Sequence, residues 1–425
     1  MRAAARSPVR PRGAAAAPRR CRGPVPPPGR RGRPPTAAGA TLAGAEGRRG
    51  REPEPPAGLP ELEAGRRLAK ECTWGIGGPA ALFAEARTAA ELAALLRHAR
   101  AHRLRWMVLG KGSNCLFDDR GFRGLVIQNR IGLGAAAPAA VEEEEGAEGG
   151  DRLLTVGSGY PFNVLAGETA KRGLGGLEWG VGIPGTVGGA VAMNAGAHGC
   201  ATGDVLKAVE YVVADGDCDG GRGGVHRLAR GDPGWEAFGY RSSPFQGPSS
   251  PGWAGRAVVT AATFRLAPSP TARADARRHL AARNATQPVR ARSVGCVFRN
   301  PAPGPAVDAG VATAGLEREL EGGSPARAGP GAREARTAGQ LIDGAGLKGL
   351  AVGGAEVSRV HANYLVNASG QASSRDMAAL LAEVQRAVEA RTGVRLQAEC
   401  ILVPYAAGEG EEDSEGAAEV GGGSL

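Results

Sequence analysis

Three residues whose side chains could share one reaction stand in separate segments of the second half of the chain. Arg241 lies in GYRSS, Cys296 in GCVFRNP and Glu399 in LQAEC, each in or beside a short apolar run with strand character. Brought together, a cation, a thiol and a carboxyl group could stabilise a developing negative charge, donate a proton and polarise a substrate. Taken singly, each has a simpler interpretation: a surface ion-pair partner, a small buried apolar residue and a solvated strand residue.

A glycine-rich stretch over residues 173–199, GLGGLEWGVGIPGTVGGAVAMNAGAHG, precedes these segments. Because few large side chains lie between Gly180 and Ala190, backbone N–H groups can converge on an anion without interference from Cβ atoms. This composition predicts a cradle for a pyrophosphate. The alternative is that glycine and proline only mark surface turns in a chain rich in glycine throughout.

The same stretch formally contains the dinucleotide fingerprint G-x-G-x-x-G, at Gly180, Gly182 and Gly185. That fingerprint requires a preceding strand, a helix that opens directly from it and an acidic residue about 20 positions further on. Here Pro184 lies among the glycines and more glycines follow, so the sequence does not indicate a Rossmann unit.

A second glycine turn lies nearer the N-terminus. Residues 104–109 have the pattern of a short apolar strand, which leads into GKGSN at residues 110–114 and then into the apolar residues 115–117. The side chains of Ser113 and Asn114 can donate hydrogen bonds to a phosphate while the glycines let the backbone fold around it. Two such turns suit a diphosphate joined to a large ring.

Taken together and in this order, the segments resemble the UDP-N-acetylenolpyruvoylglucosamine reductase (MurB) family over residues 68–405. The motifs are GKGSN at 110, GIPGTVGGAVAMNAGAHG at 182, GYRSS at 239, GCVFRNP at 295, AGQLIDGAGLKG at 338 and VSRVHANYLVN at 357. The resemblance implies an α+β protein with a vanillyl-alcohol-oxidase-type (PCMH-type) FAD-binding domain and a C-terminal α/β substrate-binding domain. It implies NADPH-dependent reduction of UDP-N-acetylglucosamine enolpyruvate to UDP-N-acetylmuramate through FAD, in peptidoglycan precursor synthesis.

The resemblance also implies a role for each reactive residue. Flavin N5 gives a hydride to the enolpyruvyl ether, Arg241 stabilises the enolate-like charge, and Glu399, which needs a raised pKa, polarises the enol. Cys296 donates the proton, at a position where many members carry serine. A thiol with an ordinary pKa of about 8.5 is mostly protonated at neutral pH and is a stronger acid than serine. An accessible thiol beside a reduced flavin is also expected to be sensitive to peroxide.

The remaining site residues are assigned by matching the family motifs. The predicted FAD-binding residues are Gly110, Lys111, Gly112, Ser113, Asn114, Gly182, Ile183, Pro184, Gly185, Thr186, Gly188, Gly189, Asn194 and Gly196. The predicted substrate contacts are Tyr240, Asn300, Lys348, His361 and Asn363. Lys348 suits a diphosphate because it is a mobile point charge with no competing cation beside it. A solvated surface lysine and a structural histidine remain the alternatives for Lys348 and His361.

The composition divides the chain into predicted segments. Residues 1–60 are predicted to be a disordered leader, 68–270 the FAD-binding domain with an acidic disordered loop at 134–151, and 273–405 the C-terminal domain. That second domain includes a helix over 377–390 and a disordered insertion at 302–336, and residues 406–425 are predicted to be a disordered acidic tail. Residues 1–51 hold 13 arginines and one acidic residue, in a chain whose net charge is +9.

The charge distribution and the cysteines limit the partners. Because the basic excess lies in the leader, the rest of the chain shows no nucleic-acid patch. No apolar run approaches the roughly 20 residues of a membrane helix, and the seven cysteines show no C-x-x-C pair or metal-ligand spacing. We expect a monomer without a metal.

The arginine-rich, acid-poor leader without an apolar segment predicts a transit peptide and the plastid stroma. A disordered extension in the bacterial cytoplasm is the alternative.

Two other functions stay open at this stage. A different flavin oxidase on the same fold would usually attach its flavin covalently and would not require the GCVFRNP or LKG segments. A non-catalytic flavin-binding descendant would be indicated by a damaged reactive residue, and the exchange of serine for cysteine is a conservative one.

Overall fold

The computed structural model describes residues 58–133, 142–145, 150–214, 224–246, 256–301 and 336–406. The strands are β1 (Glu63–Ala64), β2 (Ala80–Ala86), β3 (Trp106–Leu109), β4 (Cys115–Phe117), β5 (Phe122–Asn129), β6 (Glu142–Glu145), β7 (Arg152–Gly157), β8 (Leu174–Gly175), β9 (Gly196–Ala197), β10 (Cys200–Ala201), β11 (Leu206–Val213), β12 (His226–Ala229), β13 (Ala257–Pro268), β14 (Ala351–Val352), β15 (Ala355–Val357), β16 (Leu365–Val366) and β17 (Ile401–Val403). The helices are α1 (Ala89–Ala101), α2 (Phe162–Lys171), α3 (Val187–Ala192), α4 (Thr202–Val205), α5 (Ala272–Thr286), α6 (Ala338–Gly344) and α7 (Ser374–Thr392).

Several predicted segments fall wholly or largely outside these residues. They are the leader up to residue 57, the insertion at 302–335 and the tail from residue 407 onward. The transit peptide, the plastid location and the order of these segments therefore stay predictions.

The first glycine turn follows a strand of a small, mainly parallel sheet. Its order is β1-β2-β5-β3, with β2, β5 and β3 parallel and β1 antiparallel to β2. Helix α1 covers this sheet with Leu92, Leu95 and Leu96, which are buried in a common apolar cluster. The strand predicted over 104–109 begins at Trp106 and ends at Leu109 as expected, so the turn starts at the carboxyl end of a parallel strand.

The second glycine segment packs on an antiparallel sheet. Its order is β12-β11-β13-β7-β6, and β8 also pairs with β13. The twelve-residue strand β13 lies at its centre, where Phe264 and Leu266 are fully buried in a second apolar cluster with residues of α2 and α3. Helix α3 follows Gly182 and Gly185 in the chain. Its apolar residues are buried against this face of the sheet, which holds the helix in place.

One part of the predicted acidic loop is a strand. Residues Glu142–Glu145 form β6 and pair antiparallel with β7, from Glu142 opposite Thr155 to Glu145 opposite Arg152. The prediction of a loop was wrong here because strand pairing uses backbone groups, and charged side chains are common on edge strands, where they oppose further pairing. Residues 134–141 and 146–149 lie outside the described part of the chain.

The C-terminal part packs on the first sheet through a shared core and pairs with β4 through its last strand. Helix α7 extends the predicted helix at both ends: a capping box of Ser373 and Asp376 starts it, and Gly393 at φ 69° ends it. Its apolar face is buried with residues of the first sheet. Strand β17 pairs in parallel with β4, with Ile401 opposite Cys115. The described residues belong to one compact unit.

Candidate active site

The two predicted glycine turns lie against each other. The hydroxyl of Ser113 donates a hydrogen bond of 3.1 Å to the carbonyl of Pro184. A Cβ atom on Gly110 would lie 2.7 Å from Oγ1 of Thr186, and Gly185 has a φ of 139°, in the region that favours glycine. The approach of these turns therefore depends on glycine at both positions.

Other glycines of the segment serve the packing of the chain rather than a ligand alone. A Cβ atom on Gly112 would overlap the carbonyl oxygen of Glu71, and one on Gly182 would overlap the side chain of Arg283. A Cβ atom on Gly188 would lie 2.9 Å from Cβ of Ser158. The interpretation of the glycines as an anion cradle was therefore incomplete, because close contact between chain segments also selects them.

The polar residues of the two turns connect them to the rest of the site. Asn114 donates from Nδ2 to the carbonyl of Glu399 at 3.1 Å. Asn194, which is buried, donates to the carbonyl of Gly239 at 2.6 Å and accepts from Gly203 N. Both amides are thus occupied with backbone groups, so they position the reactive segments. Thr186 caps α3 and accepts from the N–H of Gly189, another predicted FAD-binding residue, at 3.3 Å.

Arg241 and Glu399 form an ion pair at the junction of these segments. Nε of Arg241 lies 2.6 Å from Oε1 of Glu399, and the side chains are only 18% and 13% exposed. The two terminal nitrogens of Arg241 also donate to the carbonyl of Gly196, each at 3.3 Å. The backbone of Arg241 has a φ of 50°, rare for a residue with a side chain, inside the tight turn between Gly239 and Ser242. Arg241 thus adopts an energetically unfavourable backbone conformation, and its guanidinium lies against the carboxyl group of Glu399.

Both acidic groups of the site hold their protons more strongly than usual. Burial raises the pKa of Glu399, although the charges of Arg241 and Arg299 oppose it. Burial, and then the charge of Glu399, raise the pKa of Cys296 to about 11, while Arg241 and Arg283 act in the opposite direction. The three predicted reactive groups therefore interact electrostatically, as the sequence suggested.

The raised pKa of Cys296 bears on one expectation. Thiolates rather than thiols react with peroxide, and a thiol whose pKa is about 11 is almost wholly protonated at neutral pH. Because Cys296 is nevertheless only partly buried, the sensitivity to peroxide expected from the sequence stays a prediction.

The loop that carries Cys296 is held by Asn363. Its carbonyl accepts from Val297 N at 2.9 Å, its Oδ1 accepts from Phe298 N at 3.0 Å, and its Nδ2 donates to the carbonyl of Phe298 at 2.9 Å. Nδ1 of His361 accepts from Asn363 N at 3.2 Å. Both residues were predicted to contact substrate; in the structure these contacts give them positioning roles, which fits the structural alternative for His361.

Replacing Asn363 with leucine is expected to destabilise the protein by about 2–6 kcal/mol, because two buried backbone groups of Phe298 would each lose a partner. Thermal unfolding of the flavin-loaded protein measures this effect. Asn363→Asp is the matched control, since its side chain can still accept from Phe298 N and should cost less. Equal transitions in wild type and Asn363→Leu would contradict this role.

The structure adds a residue to the site that was not predicted. Tyr364 is buried, donates from its hydroxyl to Oε1 of Gln287 at 2.6 Å, and has a pKa raised first by burial and then by the charge of Cys296. It follows Asn363 in the HANYLVN motif, so its place in that motif was the available signal.

A cavity of about 590 Å³ opens beside the ion pair. Tyr240, which is 60% exposed, accepts from Asn300 N at 3.1 Å, and Asn300 Oδ1 accepts from Ala338 N at 3.0 Å. The lining also contains two arginines that sequence analysis missed; the lining residues are Tyr240, Arg299, Asn300, Pro301, Arg395, Leu396 and Gln397. Nε of Arg299 is buried without a hydrogen-bond partner among the described residues.

Lys348 does not line this cavity. Its Nζ lies 2.7 Å from Oδ2 of Asp343, in an ion pair of two largely accessible side chains. This arrangement fits the surface-lysine alternative, and the arginines of the cavity are the cations that the structure places beside the site.

A pair of histidines follows the second glycine segment. The ring centroids of His198 and His279 are 4.2 Å apart, and the pKa of each is lowered first by burial and then by neighbouring positive charge. The arginines that contribute are Arg278 and Arg283, while Asp275 and Glu178 act in the opposite direction at His279.

This pair predicts an acid-sensitive stability. Because the folded-state pKa values lie below the ordinary value of 6.5, the unfolded chain binds more protons below about pH 6.5. The free energy of unfolding should therefore be fully present above pH 6.5 and fall as the pH is lowered through the folded pKa values. Denaturant unfolding at pH 7.5 and 5.5 measures the difference, and His279→Gln should reduce it. An unchanged pH dependence in the variant would contradict the assignment.

Two kinds of feature are absent from the described part of the chain. Across the described ranges, no cluster of three or more histidine, cysteine or acidic side chains is arranged to hold a metal ion. Within the same ranges, no helix is both long and apolar enough to cross a membrane.

The residues around the first glycine turn fit a polar cofactor. Oγ1 of Thr73 and Oε1 of Gln128 are buried without a hydrogen-bond partner among the described residues. Both are linked to the turn: Thr73 N donates to the carbonyl of Gly112, and Gln128 donates to Glu71, whose backbone lies against Gly112. Buried polar atoms without partners are rare in proteins and indicate a bound group that the protein alone does not supply.

Comparison with known proteins agrees with this geometry. Residues 80–218 match the model of an FAD-binding domain, and residues 287–403 match that of the C-terminal domain of UDP-N-acetylenolpyruvoylglucosamine reductase. The chain is 39% identical over 344 residues to the UDP-N-acetylenolpyruvoylglucosamine reductase of Protochlamydia amoebophila, which covers 81% of this chain and 94% of that protein. It is 39% identical over 335 residues to the same enzyme of a Synechococcus, covering 78% and 90%. The solved structure of the reductase from Thermus caldophilus has 31% identity and a TM-score of 0.57, and covers 81% of this chain and 100% of that one.

The fold and the comparisons thus define an FAD-binding oxidoreductase whose C-terminal region matches a second family model, which confirms the predicted fold class. More particularly, the chain belongs to the UDP-N-acetylenolpyruvoylglucosamine reductase family.

Proposed function

We propose that this chain uses NADPH and FAD to reduce UDP-N-acetylglucosamine enolpyruvate to UDP-N-acetylmuramate, with Cys296 as the proton donor. The observation that carries the proposal is the buried ion pair of Arg241 and Glu399, together with a thiol at Cys296 whose pKa responds to both of their charges. Each group comes from a different segment, so their convergence is a property of the fold.

FAD held by the residues of the two glycine turns would, when reduced, supply a hydride to the terminal carbon of the enolpyruvyl group. Addition there leaves negative charge on the carboxylate and the adjacent carbon of the substrate. Arg241 is the cation suited to this charge, and it is already oriented by Gly196 and Glu399, so little reorganisation is needed as the charge develops. In its neutral form Glu399 can donate a hydrogen bond to the same group, and burial favours that form.

Cys296 completes the reaction by protonating the carbon that bears the ether oxygen. The S–H bond breaks, the C–H bond forms, and the thiolate regains a proton from solvent. A thiol pKa of about 11 keeps the donor loaded at neutral pH, while the nearby guanidinium of Arg241 favours the thiolate that each turnover produces. The hydrogen bonds of Asn363 fix the backbone on the C-terminal side of this thiol.

The cavity supplies the binding surface for the sugar nucleotide. Its two arginines suit phosphate oxygens, since the guanidinium presents several donors in a fixed plane. Tyr240 and Asn300, the two predicted substrate residues that line the cavity, are joined by a hydrogen bond and supply its polar edge. Because the nicotinamide uses the same cleft in our proposal, no second nucleotide domain is required.

An anaerobic two-step experiment tests the proposal. Full-length protein is reduced with NADPH while the flavin absorbance near 450 nm is followed, and UDP-N-acetylglucosamine enolpyruvate is then added. Bleaching followed by recovery, with UDP-N-acetylmuramate as the product, supports the proposal. Bleaching without recovery would indicate a different oxidant, and a flavin that NADPH never reduces would indicate a non-catalytic descendant.

A further inference from the structure

Two cations lie at the carboxyl edge of the parallel strands, one in the first glycine turn and one just after β5. In the register of β3 and β5, Leu109 stands opposite Gln128. Lys111 and Arg130 each lie two residues beyond these paired positions, where both strands have ended. Ligands of parallel sheets bind beyond the carboxyl ends of the strands. The position therefore brings two positive side chains to an edge that favours a ligand.

The backbone of Arg130 is fixed where three turns meet. Arg130 N donates to the carbonyl of Ala86 at 2.7 Å, and Gly159 N donates to the carbonyl of Ile131 at 2.8 Å. A Cβ atom on Gly159 would lie 2.6 Å from the carbonyl carbon of Arg130. The neighbouring Ser158 accepts from Gly188 N, in the second glycine segment, at 2.7 Å. Arg130 thus stands between both glycine turns predicted from the sequence.

The side chain of Arg130 has a buried donor that makes no hydrogen bond. Its Nε is buried and has no hydrogen-bond partner among the described residues, while its terminal nitrogen lies 3.5 Å from Oε1 of Glu85. A buried N–H without a partner is unfavourable, so it indicates a group that the bound state supplies.

The local charge is positive. Burial lowers the pKa of Lys111, and the charge of Arg130 lowers it further, which shows that the two cations repel each other in the protein alone. Glu85 also forms an ion pair with Arg87 at 2.7 Å, so Arg130 shares the carboxylate of Glu85 with a second cation. A dianion placed between Lys111 and Arg130 would remove this repulsion.

We propose that Arg130 and Lys111 bind the diphosphate of FAD, with the buried Nε of Arg130 as a direct donor. The two glycine turns then surround the diphosphate, and the side chains of Arg130 and Lys111 neutralise the charge of the diphosphate. The proposal requires only that the chain binds FAD and does not depend on the substrate, so it is independent of the proposed reaction.

Flavins with and without the diphosphate test the assignment. Full-length protein stripped of flavin is titrated calorimetrically with FAD and with riboflavin. Arg130→Gln should raise the Kd for FAD about 10–100-fold, the loss of one charged hydrogen bond, and leave the Kd for riboflavin unchanged. Arg87→Gln is the matched control, because it removes the other ion pair of Glu85 from a side chain that is 59% exposed. It should leave both Kd values unchanged.

Further measurements separate binding from folding. Affinity of wild type for FAD should fall with added salt more steeply than that of Arg130→Gln. Arg130→Lys, which keeps the charge without the Nε donor, should recover only part of the loss. An unchanged FAD affinity in Arg130→Gln would overturn the proposal, and so would equal losses for FAD and riboflavin, which would give Arg130 a role in the fold alone. Because no substrate is present, failure of the proposed reaction leaves these results interpretable.

Discussion

Replacing Cys296 with alanine is expected to slow reoxidation of the reduced flavin by the enolpyruvyl substrate roughly 10²–10⁴-fold, the usual contribution of a general acid. Reduction of FAD by NADPH should continue at its normal rate, because in our proposal the thiol acts only in the second half-reaction, where its proton traps the enolate-like product of a reversible hydride transfer. Stopped-flow absorbance near 450 nm resolves the two half-reactions.

The matched variant is Cys296→Ser, which keeps a proton donor of similar size. We expect it to retain far more activity than the alanine variant, because the serine hydroxyl can still donate a proton. Product formed in deuterated water should carry deuterium at the carbon that bears the ether oxygen. If the alanine variant reoxidises its flavin at the wild-type rate, Cys296 is not the acid.

Replacing Arg241 with glutamine is expected to lower kcat/KM roughly 10²–10³-fold, as the loss of one preorganised donor to a developing anion does. It also removes the charge that opposes the raised pKa of Glu399, so that pKa should rise further. In our proposal the neutral carboxyl group is active, so activity is present below its pKa and lost as the pH rises through it. The alkaline limb of the kcat/KM profile should therefore move to higher pH in Arg241→Gln.

Glu399→Gln serves as the control for this assignment. Glutamine cannot ionise, so the limb that belongs to Glu399 should be absent from its profile, whatever the remaining rate. A limb that stays at the same pH in both variants would assign it to another group and contradict the proposed state of Glu399.

The sequence predicted the turns of the fold better than its strands near the site. GKGSN identified the turn after β3 because glycine and an apolar strand leave local signals. The runs around Arg241 and Cys296 were interpreted as strand-like, yet they form only isolated bridges, between Gly239 and Ser242 and between Phe298 and Ala398. The conformation of the run around Cys296 is set by Asn363 and Ala398, which lie far away in the chain and which a local pattern cannot show.

The site itself was predictable by residue type but not by role. Asn363 was expected to face substrate, and its amide instead bonds both backbone groups of Phe298. Lys348 was expected to bind phosphate, and it pairs with Asp343 at the surface. Arg395 lies in no recognisable motif. It lines the cavity because the segment before Glu399 forms part of the cavity wall. Such assignments depend on which side chains a segment meets after folding.

The parallel pairing of β17 with β4 has a consequence for how the protein is made. Hydrogen bonds link Asn114 to the carbonyl of Glu399 and to Ile401 N, across 285 positions in the first case. A ribosome therefore completes the flavin-binding half long before it synthesises the carboxyl group that shares the reaction. Until that last strand emerges and docks, a nascent chain has no assembled catalytic centre, and a chain truncated before residue 399 never acquires one. The order of synthesis thus keeps the first half chemically incomplete until the whole polypeptide has folded.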